Sequence, residues 1–252
     1  PFIGSGIEYV QSRPYQPGDS VKSIDWRVTA RLGKVYIKEF EATKQLPMYL
    51  LLDTSASMTV SSVSRSKYSM AVHLAGGLAF AGLDRVSPVG LIGTGDRAIR
   101  IEPSLSRTRI LQWMHQLRRY RLDERTTLSD RLHELSTTLP NRALVIILSD
   151  LHEPEALPAL KLMGQRHDCA VIQLQDPAEA SLAGSGFFRG REAETGAEFV
   201  AHGQSRHMDT APLHAELKRH RVDHLLLRTD QPVEHPIRQF FSMRGLAGKA
   251  AR

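Results

Sequence analysis

The apolar run Met48-Tyr49-Leu50-Leu51-Leu52 ends in Asp53-Thr54-Ser55-Ala56-Ser57-Met58. A run with no polar alternate leaves no face for water. It therefore predicts a strand covered by helices on both sides, the situation of a parallel sheet. Further strands are expected at residues 86–93, 98–101, 143–148, 169–174 and 222–228. Between them lie helical patterns at 64–83, 106–120, 154–167, 210–220 and 232–243. Leu128, Leu132, Leu135 and Leu139, spaced by four, three and four, mark another helix. This alternation predicts an α/β fold with a doubly wound, mostly parallel sheet. Gly76-Gly77 falls inside the 64–83 helix, where glycine costs stability, and predicts close packing on the sheet.

Residues 1–45 are polar and lack helical periodicity, with one strand at 35–40; they form an N-terminal arm. Residues 46–252 form the main domain. Its 176–203 segment, rich in Gly, Glu and small residues, reads as a small β-hairpin insertion with strands near Phe187-Phe188 and Glu198-Phe199-Val200. Trp26, set among Arg13, Asp19, Asp25 and Arg31, is unusual for a flexible leader. The expectation is an arm packed on the domain, with Trp26 buried and the arginines paired to nearby carboxylates. A second reading makes the arm itself a docking surface, since Trp and Arg are favoured interface anchors.

Composition narrows the class. The 252 residues carry 33 Lys and Arg against 27 Asp and Glu, a net charge of +6. Basic residues are dispersed apart from short clusters such as Arg118-Arg119-Tyr120-Arg121 and Lys218-Arg219-His220-Arg221, so no nucleic-acid partner is expected. The single cysteine, Cys169, agrees with a reducing, cytoplasmic compartment. No run of about 18 apolar residues is present to span a bilayer. The chain starts at Pro1, so it is read as a fragment, which leaves open a membrane anchor upstream. Gly93-x-Gly95 lacks the third glycine of a dinucleotide fingerprint, and Gly184-Ser185-Gly186 is no nucleophile elbow. There is no HExxH, and His220 and His224 straddle a predicted helix end without a third ligand.

Three loops carry the chemistry. In an open α/β sheet, loops at the carboxyl ends of strands meet where the strand order reverses. Asp53, Ser55 and Ser57 follow the first core strand, Asp150 follows the 143–148 strand, and Arg125-Thr126-Thr127 opens the Leu-striped helix. Together they offer carboxylates and hydroxyls at one edge. An all-oxygen set of this kind suits a hard divalent ion, Mg²⁺ above all, rather than zinc. Each residue has a plainer role open to it. Ser57 and Thr127 can cap helices, Thr127 with Asp130 as a capping box, and Asp150 can cap the helix after it.

The series strand-DxSxS, loop Thr and strand-Asp resembles the metal-ion-dependent adhesion site (MIDAS) of von Willebrand factor A domains. The arm motifs Arg13-Pro14-Tyr15-Gln16-Pro17-Gly18-Asp19 and Ile24-Asp25-Trp26-Arg27-Val28-Thr29-Ala30-Arg31 narrow this. They are similar to those of a bacterial family of unknown function, catalogued under number fifty-eight and associated with MoxR-type AAA+ ATPases. Asp176-Pro177-x-Glu179 and Glu194-Thr195-Gly196 agree with that family's D-P-x-E and E-T-G stretches. The resemblance implies a von Willebrand factor A-like, Rossmann-type domain. It implies Ser55 and Ser57 bound directly to Mg²⁺ or Mn²⁺, with Asp53 and Asp150 binding directly or through water. Thr126 aligns with the loop ligand through Leu128, but Glu124-Arg125 replaces the family's two glycines; Thr127 is the alternative. Tyr15 and Gly18 belong to the arm motif with Arg13, Asp19, Asp25, Trp26 and Arg31.

The function expected is a non-enzymatic, metal-dependent interaction module. A protein partner would supply an acidic side chain to the metal, and an AAA+ ATPase would assist protein assembly or maturation. The alternative is a metal-dependent hydrolase of phosphate esters built on Asp53 and Asp150, with His152 the nearest candidate base.

Overall fold

The structure is a computed structural model; it describes residues 3–41, 46–97, 99–119, 121, 123–180, 187–191, 198–202 and 211–250. The chain divides into two compact units, Pro1–Gln45 and Leu46–Arg252.

The first unit is an ordered strand–helix–strand element. Strand β1 (Ile3–Pro14) runs antiparallel to β2 (Tyr36–Glu41), with helix α1 (Trp26–Leu32) in the connection. The arm motif now has a physical account. The Arg13 guanidinium grips both Asp19 carboxylate oxygens at 2.7 Å and Glu39 at 2.8 Å, a fork geometry that suits arginine. This pairing and the Gln16 N–H hold the Asp19 carboxyl down to about 2. Gly18 adopts φ 105°, a conformation that side chains resist, and so turns the chain between the two partners. Asp25 caps α1 by accepting from the N–H groups of Arg27 and Val28, and takes a third bond from the Ser12 hydroxyl at 2.8 Å. Gly33, at φ 69°, ends the helix. Trp26 is the exception. It is 68% exposed, so the expectation of a buried tryptophan is corrected: it follows the cap as the first helical residue and takes no part in the core.

The second unit alternates strands and helices as the sequence predicts. In chain order they are β3 (Met48–Leu52), α2 (Lys67–Asp84), β4 (Val89–Gly93), β5 (Arg100–Ser104), α3 (Arg107–Leu117), α4 (Leu128–Thr138) and β6 (Leu144–Ser149). There follow α5 (Ala156–Arg166), β7 (Asp168–Gln175), the single turn α6 (Pro177–Ala180), β8 (Phe187–Arg191), β9 (Glu198–His202), α7 (Ala211–Arg219), β10 (Val222–Arg228) and α8 (Glu234–Ala250). The main sheet has the order β10-β7-β6-β3-β4-β5; every neighbouring pair is parallel except β4–β5. β8 and β9 pair antiparallel as a separate hairpin, as expected. The motif Glu194-Thr195-Gly196 lies outside the described residues.

β3 shows why its sequence has no polar alternate. Leu50 and Leu52 face one helical layer, with Leu74 and Leu78 of α2, Trp113 and Leu117 of α3, and Val233 before α8. Tyr49 and Leu51 face the other, with the α4 leucines Leu128, Leu132 and Leu135, Leu160 and Met163 of α5, and Leu217 of α7. Each such leucine contributes about 1.5–3 kcal/mol by leaving water. The glycine pair in α2 departs from expectation. A Cβ on Gly76 would lie 2.6 Å from the Met114 side chain of α3, so the close approach is between helices and not onto the sheet.

Leu50→Ala is therefore expected to cost about 2–5 kcal/mol, whereas Trp26→Ala should change stability by no more than about 0.5 kcal/mol. Urea denaturation of the two variants checks this; comparable losses would return Trp26 to the core.

Candidate metal centre

Numbered from β3 along the chain, the main sheet has the order 3-2-1-4-5-6, and the order reverses between its first and fourth strands, β3 and β6. Their in-register parallel pairing, Met48 with Leu144 through Leu52 with Leu148, places Asp53 and Asp150 just beyond the carboxyl ends of adjacent strands. This is the crevice in which doubly wound sheets bind ligands.

The β3 loop is locked from within. The Ser55 N–H donates to Asp53 Oδ1 at 3.0 Å, and the Ser149 hydroxyl donates to Asp53 Oδ2 at 2.6 Å. The Ser55 and Ser57 hydroxyls lie 3.0 Å apart. Asp53 is 2% exposed; burial, and after it the charge of Asp150, push its carboxyl up to about 7. An acid this buried needs a proton or a cation beside it. With two serine oxygens at hand and no histidine or cysteine in the β3 loop, the residues fit a hard divalent ion.

Asp150 is held differently. Burial would raise its carboxyl, but the His152 hydrogen bond and the nearby Lys67 ammonium outweigh that and hold it well below the usual carboxylate range. Lys67 Nζ sits 2.7 Å from Asp150 Oδ2, and His152 Nδ1 lies 3.1 Å from the same oxygen. Oδ1 accepts from the His152 backbone N–H at 3.3 Å. The turn between them passes through Leu151 at φ 59°, a left-handed conformation uncommon outside glycine, steadied by its N–H on Ser149 Oγ. Asp150 thus closes its own turn and does not cap α5, whose N-cap Glu155 makes no side-chain bond.

The two threonines of the middle loop are held differently. The Thr127 hydroxyl lies 3.2 Å from both the Thr94 and Gly95 carbonyls, so it is committed to backbone. It does not form the capping box foreseen with Asp130; instead Glu153 accepts from the Ser129 N–H at the start of α4. Thr126 forms a bridge to Gly95, and its hydroxyl donates to Glu153 at 3.3 Å. The Glu124-Arg125 pair in place of two glycines is absorbed by opposite placements. Glu124 is 1% exposed and paired with Arg97, while its carbonyl accepts from Ala56 N–H at 2.7 Å and so ties the middle loop to the β3 loop. The Arg125 side chain is 73% exposed and faces Asp96 at 3.9 Å.

Sequence reasoning missed Lys67 and the part played by Glu179. Asp176-Pro177-Ala178-Glu179 is a capping box on α6. Asp176 accepts from Ala178 N–H at 2.9 Å, Glu179 returns to Asp176 N–H at 3.0 Å, and Pro177 occupies the first helical position. Asp176 also accepts from the Ser62 N–H at 2.8 Å, just past the β3 loop, and the other Glu179 oxygen takes the Lys67 ammonium. One signal was present in the sequence. A lysine in the first turn of a helix opposes the dipole, which suggests a carboxylate partner.

The sheet order, with helical layers on both faces, makes the second unit a doubly wound α/β domain. The model of the family described as protein of unknown function DUF58 matches residues 11–222, and the chain belongs to that family. The uncharacterized protein Rv1480 of Mycobacterium tuberculosis is 28% identical over 198 residues, covering 77% of this chain and 62% of the relative. The chain therefore spans about three-fifths of the length of that mycobacterial relative. YeaD of Bacillus subtilis is 31% identical over 88 residues, 34% of this chain and 22% of that protein. Among solved structures, the conserved hypothetical protein BatB of Bacteroides thetaiotaomicron aligns with a TM-score of 0.52 at 17% identity, over 81% of this chain and 99% of that one. The SpRpn10 VWA domain aligns at 0.47 and 12% identity, over 77% and 95%.

The two aspartates have opposite pH signatures. Asp53, with its folded value near 7 against an ordinary 3.8, stabilises most when protonated; that contribution is complete below about pH 4 and lost as pH rises through 7. Asp150, held low, contributes above about pH 4 and loses that contribution as pH falls below it. Without divalent ions, Asp53→Asn should flatten the fall in stability between pH 4 and 7, a slope of at most about 1.4 kcal/mol per pH unit. Urea midpoints measured across this range check it.

Proposed function

We propose that this chain is a Mg²⁺-dependent protein-interaction module whose β3, middle and β6 loops clasp an acidic side chain of a partner. The observation that carries the reading is the locked β3 loop. Asp53, Ser55 and Ser57 are oriented by bonds within the loop and from Ser149, at the switch point of a von Willebrand factor A-like sheet. Ser55 and Ser57 offer hydroxyl oxygens without adding charge, Asp53 offers the carboxylate, and Thr126 stands across the loop beside Glu153. A divalent ion bound there would keep a coordination position open for a partner's carboxylate. Mn²⁺ would serve in the same way.

The partner system we propose is a MoxR-type AAA+ ATPase acting in protein assembly or maturation, which rests on the family resemblance. The first unit supplies a second contact: Tyr15, Val21, Trp26, Leu32 and Val35 are all exposed apolar residues within its central segment. Hydrolysis finds less support. The His152 ring is already engaged through Nδ1 with Asp150, a hydrogen bond that outweighs burial and raises its pKa.

Mg²⁺ at 100 times its dissociation constant should stabilise the domain by about 2.7 kcal/mol, and Asp53→Ala should remove that gain. Melts of metal-free protein titrated with Mg²⁺ or Mn²⁺ decide it, and no shift with either ion speaks against the site. In pull-downs with Mg²⁺ against chelator, Asp53→Ala should lose the metal-dependent partner at little cost to the fold. Trp26→Ala should weaken partner capture without changing the melt.

A further inference from the structure

Asp150 differs from the other loop residues in that the chain already provides its cation. Lys67 is 1% exposed, a degree of burial that ammonium groups reach only when paired. It comes from the first turn of α2 and ends between Asp150 on the β6 loop and Glu179 on α6. Asp150, His152 and Glu179 each present one ligating atom, and these atoms lie within 4.8 Å of one another. Such a cluster could take a divalent ion, but the Lys67 ammonium already stands among these groups, 2.7 Å from Asp150 Oδ2 and paired with Glu179. His152 meanwhile turns Nδ1 to the same Asp150 oxygen, where it acts as a hydrogen-bonding neighbour and not as a ligand.

We propose that Lys67 is a tethered counter-cation. It occupies the place a divalent ion would take among Asp150, His152 and Glu179, and it confines divalent binding to the Asp53, Ser55 and Ser57 side. Lys67 is a positioning residue in this account. It neutralises the inner carboxylates, ties α2 to β6 and α6, and keeps the β6 loop assembled before any metal or partner arrives. Asp176 reinforces this by holding Ser62, on the segment between the β3 loop and α2. The proposal deepens the interaction-module reading and rests on it for the outer site alone.

Mn²⁺ titration calorimetry and thermal melts of the full chain test it, using the wild type, Lys67→Met, Lys67→Arg and Lys67→Met/Glu179→Gln. Removing the tethered charge should free Asp150, Glu179 and His152. Lys67→Met should then bind Mn²⁺ at least about ten-fold more tightly, or take up a second equivalent. Adding Glu179→Gln should reverse the gain, and Lys67→Arg should stay near wild type. A merely structural lysine would not raise metal affinity on removal. Unchanged or weaker Mn²⁺ binding by Lys67→Met overturns the proposal. If that variant folds only with Mn²⁺ present, the rescue supports it; failure to fold in Mn²⁺ as well overturns it. Gain by Lys67→Met with no binding by wild type would sink the metal-dependent clasp and leave the role of Lys67 standing. Binding by wild type with no gain in the variant would do the reverse.

Discussion

The parallel pairing of β3 with β6 is the constraint on which the site depends. It brings two chain segments almost a hundred residues apart into register, and each strand is followed directly by a buried aspartate. Two carboxylates cannot share so dry a place without compensation, because unscreened like charge is costly there. The surrounding chain supplies what is needed from different directions. Ser149 and the Ser55 N–H serve Asp53, while Lys67 and His152 serve Asp150. The asymmetry follows: one acid is driven towards its neutral form and the other held ionised, although they follow neighbouring strands within one residue of register.

The same asymmetry explains why the short D-P-x-E motif belongs with the loops at the carboxyl ends of β3 and β6. A capping box is a local device that satisfies the first N–H groups of a helix. On a single turn such as α6 it would add little, but here each acidic residue has an outward use. Asp176 holds the segment after the β3 loop, and Glu179 completes the cage around Lys67. Burying an ion pair is weak evidence of stability by itself, since desolvation offsets attraction. What the pairing does show is a link: through Lys67, α2 is joined to both the β6 loop and α6.

The arm motif teaches a related lesson. Arg13, Gly18, Asp19 and Asp25 are explained wholly within the first unit, as an arginine fork, a positive-φ turn and a helix cap. Tyr15 and Trp26, in the same motif, are left exposed. Large apolar groups displayed on a rigid scaffold suit recognition better than stability.

The amino-acid sequence by itself determined the fold class and the Asp-x-Ser-x-Ser loop at the end of β3. Five consecutive apolar residues in β3 require two helical layers, the four-three-four leucine spacing requires a helix, and Asp-x-Ser-x-Ser needs only local geometry to gather its oxygens. Such signals are periodic or contiguous, so they survive in one dimension. Tertiary structure alone decided the rest. Lys67 meets Asp150 across 83 residues, and no spacing rule connects them. Gly76 packs on Met114 and not on the sheet, because only the crossing of α2 with α3 sets that distance. Thr127 turns to the Thr94 and Gly95 carbonyls because the middle loop bridges to the end of β4. Which carboxylate is charged was likewise beyond the sequence, since identical side chains differ here only in what long-range packing places beside them.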